Sequence, residues 1–221
     1  MDETYFQHVR TDIAPLLPAH ATHILDVGAG AGRTSGWLRP RYPGCRLVAL
    51  EGDPAMRAQL AQNVDEAHIV DLNGPIPDVG APDLILLLDV LEHLMRPQDV
   101  LNHLTGVMAE GATVIVSCPN VAHASVSLPL LLKAQFDYQD SGILDRTHLR
   151  FFVRKSAIAL MSQAGLIVRR GIRTGLGGPR ARLLDKLTGG MLRDHLTKQY
   201  ILSGTRKAPG TVQGEVEWLT N

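Results

Sequence analysis

The chain has little of several residue types that mark specialised classes of protein. Only Cys45 and Cys118 occur among its 221 residues, so the sequence has neither a disulfide framework nor the cysteine spacing of a zinc site. No apolar run approaches the roughly 20 residues of a membrane-spanning helix. The start, Met1–Thr4, lacks the basic and apolar regions of a signal peptide. These absences predict a cytoplasmic globular protein with no membrane span.

Aromatic residues and net charge are also low. Aromatic residues make up 5% of the chain and the formal net charge is zero, so a nucleic-acid partner is disfavoured. The charge is uneven, however: residues 1–145 carry 8 Lys and Arg against 18 Asp and Glu, whereas residues 146–193 carry 11 against one. The basic segment favours an anionic substrate, unless it merely packs against the acidic segment or is solvated.

Apolar runs alternate with helical patterns along the chain. This alternation predicts an α/β fold with a Rossmann-like, doubly wound sheet of about seven strands. The predicted strands are 22–27, 46–50, 67–70, 83–88, 112–117, 166–170 and 200–204, and the predicted helices are 5–17, 31–38, 53–63, about 100–108, 156–164 and 180–196. We expect one domain over residues 1–221. Its parts are a cofactor-binding core (1–120), a helical cap insertion (121–155), closing strands and a helix (156–207), and a tail (208–221).

A glycine-rich turn follows the first predicted strand. A dinucleotide-binding loop needs G-x-G-x-x-G; Gly28 and Gly30 fit, but the third position is Arg33. The pattern is instead D-x-G-x-G-x-G, from Asp26 to Gly32. A carboxylate beside the loop suits a cationic, phosphate-free cofactor, and this indicates S-adenosylmethionine rather than a nicotinamide dinucleotide.

Further candidates for the cofactor site follow the next three strands. Glu51 comes 19 residues after Gly32 and is placed to accept the ribose hydroxyls, a role that occurs in dinucleotide folds too. Asp71-Leu72 follows the third strand and is placed to meet the adenine. Asp89-Val90 follows the fourth strand and is placed to line the methionine side. The full predicted set is Asp26, Gly28, Ala29, Gly30, Gly32, Glu51, Gly52, Asp71, Leu72, Asp89 and Val90.

Taken in order, these motifs resemble those of class I S-adenosylmethionine-dependent methyltransferases. The resemblance covers residues 5–173 and rests on the segments ILDVGAGAG, ALEGDP, VDLNG and DLILLLDVLEHL. The block FDYQDSGILDRTHLRFF, Phe136–Phe152, is similar to a subfamily of small-molecule methyltransferases linked to polysaccharide, quinone or natural-product pathways. The resemblance implies an antiparallel last strand and S-adenosylhomocysteine as the product. Ala29 departs from the cysteine that relatives often carry.

Three histidines are candidate catalytic bases, because histidine titrates near neutrality. His93 and His123 follow predicted strands, and His148 lies in the cap insertion. We favour His148, because its segment is polar yet flanked by aromatic residues. Arg146 and Arg150 beside it are candidate substrate-binding residues for an anionic acceptor.

The spacing D-x-x-E-H, from Asp89 through Glu92 to His93, leaves a metal site open. It is similar to the E-x-x-E-H of ubiquinone O-methyltransferases and small-RNA 3′-terminal 2′-O-methyltransferases, which hold a divalent metal together with a later histidine. Asp89 is shorter than glutamate and is expected at the cofactor. No metal site is therefore assigned to the chain from its sequence.

The sequence thus predicts a methyltransferase that acts on a small molecule at oxygen, with an anionic sugar or natural-product intermediate as the favoured acceptor. An RNA methyltransferase and a non-catalytic cofactor-binding protein stay open as alternatives. The apolar run Val126–Leu132 is a dimer surface, a lid or a buried cap helix, so a homodimer is also left open.

Overall fold

Eight strands form one sheet in the computed structural model, which describes residues 9–175, 178–208 and 210–219. The order across the sheet is β3-β2-β1-β4-β5-β7-β6-β8. Neighbours among β1 to β5 run parallel, and β7 runs antiparallel to both β5 and β6. The Rossmann-like α/β fold and the reversed seventh strand are therefore confirmed. The strands are β1 His23–Val27, β2 Arg46–Glu51, β3 Glu66–Ile69, β4 Leu84–Leu88, β5 Thr113–Pro119, β6 Leu166–Thr174, β7 Gln199–Arg206 and β8 Glu217–Leu219.

The central strands are apolar on both faces because helices and loops cover both. In β4 the sequence Leu-Ile-Leu-Leu-Leu is almost wholly buried, as expected for a strand at the centre of a parallel sheet. Alternate residues enter two separate cores, with Ile85 and Leu87 in one and Leu84 and Leu86 in the other. The sheet is thereby held between two apolar layers.

The helices differ from the prediction at several ends. Residues 11–16 form a 3-10 turn that contains Pro15, and residues 5–8 of the helix predicted there lie outside the described range. The predicted helix 180–196 is two helices, because Gly189 and Gly190 both adopt positive φ between them. The α-helices are α1 Arg33–Leu38, α2 Arg57–Leu60, α3 Pro97–Val107, α4 Ala124–Lys133, α5 Arg154–Gln163, α6 Pro179–Leu187 and α7 Arg193–Leu196.

Two further segments complete the fold. The predicted cap contains α4 and an irregular stretch that is bridged to the core where Asn120 pairs with Phe152. Residues 217–219, predicted as part of a tail, form β8 at the sheet edge beside β6. Across the described ranges, no helix is long and apolar enough to cross a membrane. The division of the chain into core, cap and tail stays a prediction.

Candidate functional site

The glycine loop after β1 is held close to the carboxyl edge of the sheet. Gly28, Gly30 and Gly32 have φ of +69°, +56° and +73°, a region that side chains other than glycine rarely adopt. A Cβ on Gly28 would lie 2.5 Å from Val90 Cγ2, and one on Gly32 would lie 2.9 Å from Leu60 Cδ1. The loop therefore packs so closely on Val90 and Leu60 that only glycine fits at these two positions, and we call it the glycine cradle. Its contact with the cofactor stays a prediction.

Asp26 precedes this loop by two residues and is buried near the end of β1. Its Oδ2 accepts a hydrogen bond of 2.6 Å from Ser35 Oγ, which ties β1 to the first turn of α1. Burial raises the pKa of Asp26 from 3.8 to about 6. The predicted contact of Asp26 with a cofactor amino group stays a prediction, and its observed contact is with Ser35.

Glu51 joins the glycine loop to the loop after β2. Its Oε2 accepts from Gly30 N at 2.7 Å and its Oε1 accepts from Asp53 N at 2.8 Å. Each carboxylate oxygen has a second lone pair, so both can still accept a hydroxyl. Glu51 is buried and Gly52 beside it is exposed. This arrangement suits the role predicted for Glu51 with ribose hydroxyls.

The remaining residues predicted for the cofactor site differ in their burial and in their contacts. Asp71 is exposed and its Oδ1 accepts from Asn73 N and Nδ2, whereas Leu72 is buried in the core. Val90 packs on Gly28. Ala29 is half-buried within the loop.

Asp89 is bound by side chains from three other parts of the chain. Its Oδ2 accepts from Arg10 Nη1 at 2.5 Å, and its Oδ1 accepts from Ser117 Oγ at 2.8 Å and from Gln199 Nε2. Arg10, Ser117 and Gln199 lie in no sequence motif that points to this contact. Asp89 does not belong to the one possible metal-ligand cluster among the described residues, so the D-x-x-E-H ligand set is not assembled as the spacing indicates.

His148, in contrast, reaches His93. The backbone oxygen of Glu92 accepts from Leu149 N at 2.7 Å and from Arg150 N at 3.0 Å, which fixes the cap onto the turn after β4. The rings of His93 and His148 meet edge to face with centroids 4.8 Å apart. Both are candidate bases from the sequence, and the structure places them side by side.

Glu92 completes this cluster. One donor atom from each of Glu92, His93 and His148 lies within 4.8 Å of the others. The carboxylate is almost fully buried, and neither of its oxygens has a hydrogen-bond partner among the described residues. Burial and nearby Asp89 raise the pKa of Glu92 well above 4.5. Burial and nearby His148 lower the pKa of His93 below 6.5. Glu92 and His93 therefore both favour their neutral forms.

The third candidate histidine has a different role. His123 precedes α4, and its Nδ1 accepts from Ser125 N at 3.2 Å as a helix cap. It is not a member of the cluster formed by Glu92, His93 and His148. Its predicted catalytic role gains no support from this position.

The two candidate substrate-binding arginines are both paired. Arg150 donates to the backbone oxygen of Met95 from Nε at 3.1 Å and from Nη2. Arg146 forms an exposed ion pair of 3.1 Å with Asp140. Arg150 is thus used to hold the cap, whereas the exposed pair of Arg146 is weak enough to exchange partners.

A family model described as a methyltransferase domain matches residues 1–170. The chain belongs to this methyltransferase family. It is a class I S-adenosylmethionine-dependent enzyme, with S-adenosylmethionine as cofactor and S-adenosylhomocysteine as product.

Curated relatives match only part of this methyltransferase. Trans-aconitate 2-methyltransferase from Delftia acidovorans is 28% identical over 106 residues, which cover 46% of this chain and 40% of the relative. Ajmaline N-methyltransferase from Rauvolfia serpentina is 31% identical over 102 residues, which cover 42% and 35%. The match thus spans less than half the length of these relatives.

Solved structures share the fold of the methyltransferase over most of its length. An S-adenosylmethionine-dependent methyltransferase from Mesorhizobium loti has a TM-score of 0.62 at 13% identity, covering 88% of this chain and 96% of that one. The CcbJ methyltransferase from Streptomyces caelestis has a TM-score of 0.59 at 12% identity, covering 94% and 100%. At these identities the likeness supports the fold alone.

Proposed function

We propose that this methyltransferase acts on an oxygen atom of a small, anionic acceptor, with His148 as the base. One observation carries the proposal. His148 Nδ1 lies 3.0 Å from the backbone oxygen of Ile143, which can only accept, so Nδ1 holds the proton. In the neutral form of the ring, this hydrogen bond leaves the lone pair on Nε2, where it can accept the proton of an acceptor hydroxyl. We also propose that the protein is cytoplasmic, because its two cysteines are both free, as is usual in a reducing compartment.

The chain's own residues supply position and proton transfer. When bound, S-adenosylmethionine supplies an activated methyl group. The glycine cradle and Glu51 hold the cofactor, and the backbone bonds from Leu149 and Arg150 to Glu92 hold His148 beside His93. Positioning of reacting groups accounts for much of the rate enhancement in such a displacement.

Charge supports an anionic acceptor. Arg146 is 66% exposed at its side chain and its partner Asp140 is 96% exposed, so an incoming carboxylate or phosphate can replace Asp140 at little cost. Relatives whose names specify trans-aconitate, a carboxylate, are consistent with this class of acceptor.

The test is methyl transfer across a panel of carboxylates, sugar nucleotides and phenols. For a turned-over hydroxyl acceptor, we expect His148→Gln to lower kcat by about 100-fold or more, and Arg146→Gln to raise the acceptor's KM with no change in that of the cofactor. His103→Gln, on the exposed face of α3, is the matched control. Wild-type kcat in His148→Gln would refute His148 as the base.

The carboxylate of Glu92, which has no hydrogen-bond partner within the described ranges, favours a second candidate, in which a divalent metal assists the reaction. Two histidines and one carboxylate are a common ligand set for a metal with open coordination positions. His148 Nδ1, which donates to a backbone carbonyl, matches the support that metal-binding histidines usually have. The residues present therefore fit a metal. A bound metal would polarise the acceptor oxygen.

This second candidate is tested without an activity assay. We expect Zn²⁺ or Mn²⁺ to raise the melting temperature of the chelator-treated wild-type protein but not of Glu92→Gln or His148→Gln. His123→Gln, outside the cluster, should respond like the wild type. No shift in the melting temperature of the wild type with any divalent ion would refute the metal site and leave His148 as a metal-free base.

A further inference from the structure

Two neighbouring helical segments expose an unusual number of leucine side chains. In α4, only Val126 is buried, whereas Leu131 and Leu132 are 79% and 73% exposed. In the segment 183–192, Leu187 and Met191 are 74% and 85% exposed. We call these side chains together the leucine surface. Its members are Leu128, Leu130, Leu131, Leu132, Leu183, Leu184, Leu187, Met191 and Leu192.

The two parts of this surface are tied to each other. Helix α7 packs against both α4 and α6. His195 Nδ1 donates to the backbone oxygen of Ala122 at 2.8 Å, and Asn120 Nδ2 donates to that of Asp194 at 2.7 Å. The exposed leucines therefore belong to one part of the molecule, where the cap meets the segment before β7. Apolar patches of this kind mark interaction surfaces.

The charge of this region is positive. The sequence of residues 178–193 holds four Lys and Arg against one acid, Asp185. Asp185 is paired with Arg193, and the next acid, Asp194, is paired with Arg154. Exposed Lys133 and Lys186 stand at the end of α4 and within α6. An anionic partner is therefore favoured.

A second copy of the chain fits this surface poorly. A twofold contact would bring the same basic segment of both copies together, and like charges would oppose it. The apolar members are also all aliphatic, with no aromatic residue in α4 or in 183–192. Specific protein interfaces favour aromatic anchors and contain few leucine hot spots. Binding to the hydrocarbon layer of a membrane, in contrast, requires only exposed apolar area, and basic residues beside that area attract anionic lipid headgroups.

We propose that this protein binds peripherally to anionic membrane surfaces through the leucine surface. The exposed side chains of α4 and of residues 183–192 enter the boundary between headgroups and acyl chains, while the basic residues contact lipid phosphates. This proposal does not depend on the identity of the acceptor or on the methyl-transfer assay.

Vesicle flotation tests the proposal with the full chain. We expect the wild type to float with vesicles of phosphatidylcholine and phosphatidylglycerol, and not with phosphatidylcholine alone. The double variant Leu131→Gln/Leu132→Gln should lower the partition coefficient by about 100-fold, since each buried leucine contributes roughly a factor of ten. Lys186→Gln should lower it less, with an effect that shrinks in high salt.

Val212→Gln is the matched control, because Val212 is 80% exposed and lies outside the leucine surface. It should float like the wild type, and all variants should bind S-adenosylmethionine equally, which shows that they are folded. Absence of flotation, or equal flotation of all variants, would overturn the proposal. A dimer in size-exclusion chromatography that Leu131→Gln/Leu132→Gln dissociates, without vesicle binding, would assign the surface to self-association instead.

Discussion

Arg10 and Asp89 form an ion pair of 2.5 Å that joins the segment before β1 to the end of β4. Asp89 has φ of +59°, so its backbone is held in a region that few residues other than glycine, asparagine and aspartate adopt. The pair is supported by Ser117 from β5 and Gln199 from β7. Asp89 therefore joins four parts of the chain at the carboxyl edge of the parallel strands.

We predict graded effects of two substitutions at Asp89. Asp89→Asn keeps the backbone conformation but weakens the charged hydrogen bonds, and should lower the free energy of unfolding by about 1–3 kcal/mol. Asp89→Ala should cost about 1 kcal/mol more, because alanine disfavours positive φ. Urea denaturation measures both. Equal losses in the two variants would show that the backbone is unstrained at this position.

Alanine substitutions at two glycines distinguish the effect of backbone strain from the effect of close packing. Gly28 and Gly44 both have positive φ, of +69° and +77°, but a Cβ on Gly44 would meet nothing within 4 Å. Either alanine variant should lose about 1 kcal/mol of stability from backbone strain. Only Gly28→Ala displaces the loop from Val90, so only Gly28→Ala should weaken S-adenosylmethionine binding, by about tenfold or more in calorimetry. Equal affinities in both variants would contradict the cradle.

Asp26 gives the protein a defined dependence on pH. Its pKa is raised from 3.8 to about 6 in the folded state, so the folded protein binds this proton more tightly than the unfolded chain. The contribution of Asp26 to stability is full below pH 3.8 and is lost as the pH rises through about 6. Replacing the carboxyl by a neutral amide removes this loss.

We therefore predict that Asp26→Asn is more stable than the wild type above pH 7, by up to about 3 kcal/mol, and about equal to it near pH 4. The amide oxygen still accepts from Ser35. Denaturation at a series of pH values measures the difference, and Glu110→Gln, at an exposed carboxylate, is the control. A difference that is constant from pH 4 to pH 8 would refute the raised pKa. A simultaneous loss of cofactor affinity would support the proposed role of Asp26 at the amino group.

The sequence was sufficient for the parts of this fold that depend on local pattern. Apolar runs such as Leu84–Leu88 predict buried parallel strands, and the glycine spacing predicts the loop after β1. The approach of His148 to His93 depends on backbone bonds from Leu149 to Glu92 across more than 50 residues, and no periodicity reports such a contact. The same holds for Arg10 and Asp89, which lie 79 residues apart. In contrast, the break in the helix predicted over 180–196 could have been predicted from Gly189-Gly190, because glycine disfavours a helix interior.

Strand β8 is not predictable from the sequence, because three residues are too short for a recognisable pattern. Besides its pairing with β6, it is held by the packing of Trp218. Trp218 lies over the guanidinium of Arg173 at 3.6 Å and meets the ring of Tyr200 at 5.7 Å. A Cβ on Gly171 would lie 2.7 Å from Trp218 Cζ3, so the indole fits a gap that only glycine leaves on β6. The tail is thereby packed on the core through Trp218.

We predict that Trp218→Ala lowers the free energy of unfolding by about 2 kcal/mol, somewhat below the cost for a fully buried tryptophan, because the residue is half-buried. S-adenosylmethionine affinity should stay unchanged, since β8 lies at the far edge of the sheet from β1. Trp218→Phe keeps an aromatic face over Arg173 and should recover about half of the loss. Wild-type stability in Trp218→Ala would show that β8 adds nothing to the fold. A change in cofactor affinity would show that the sheet edge is coupled to the glycine loop.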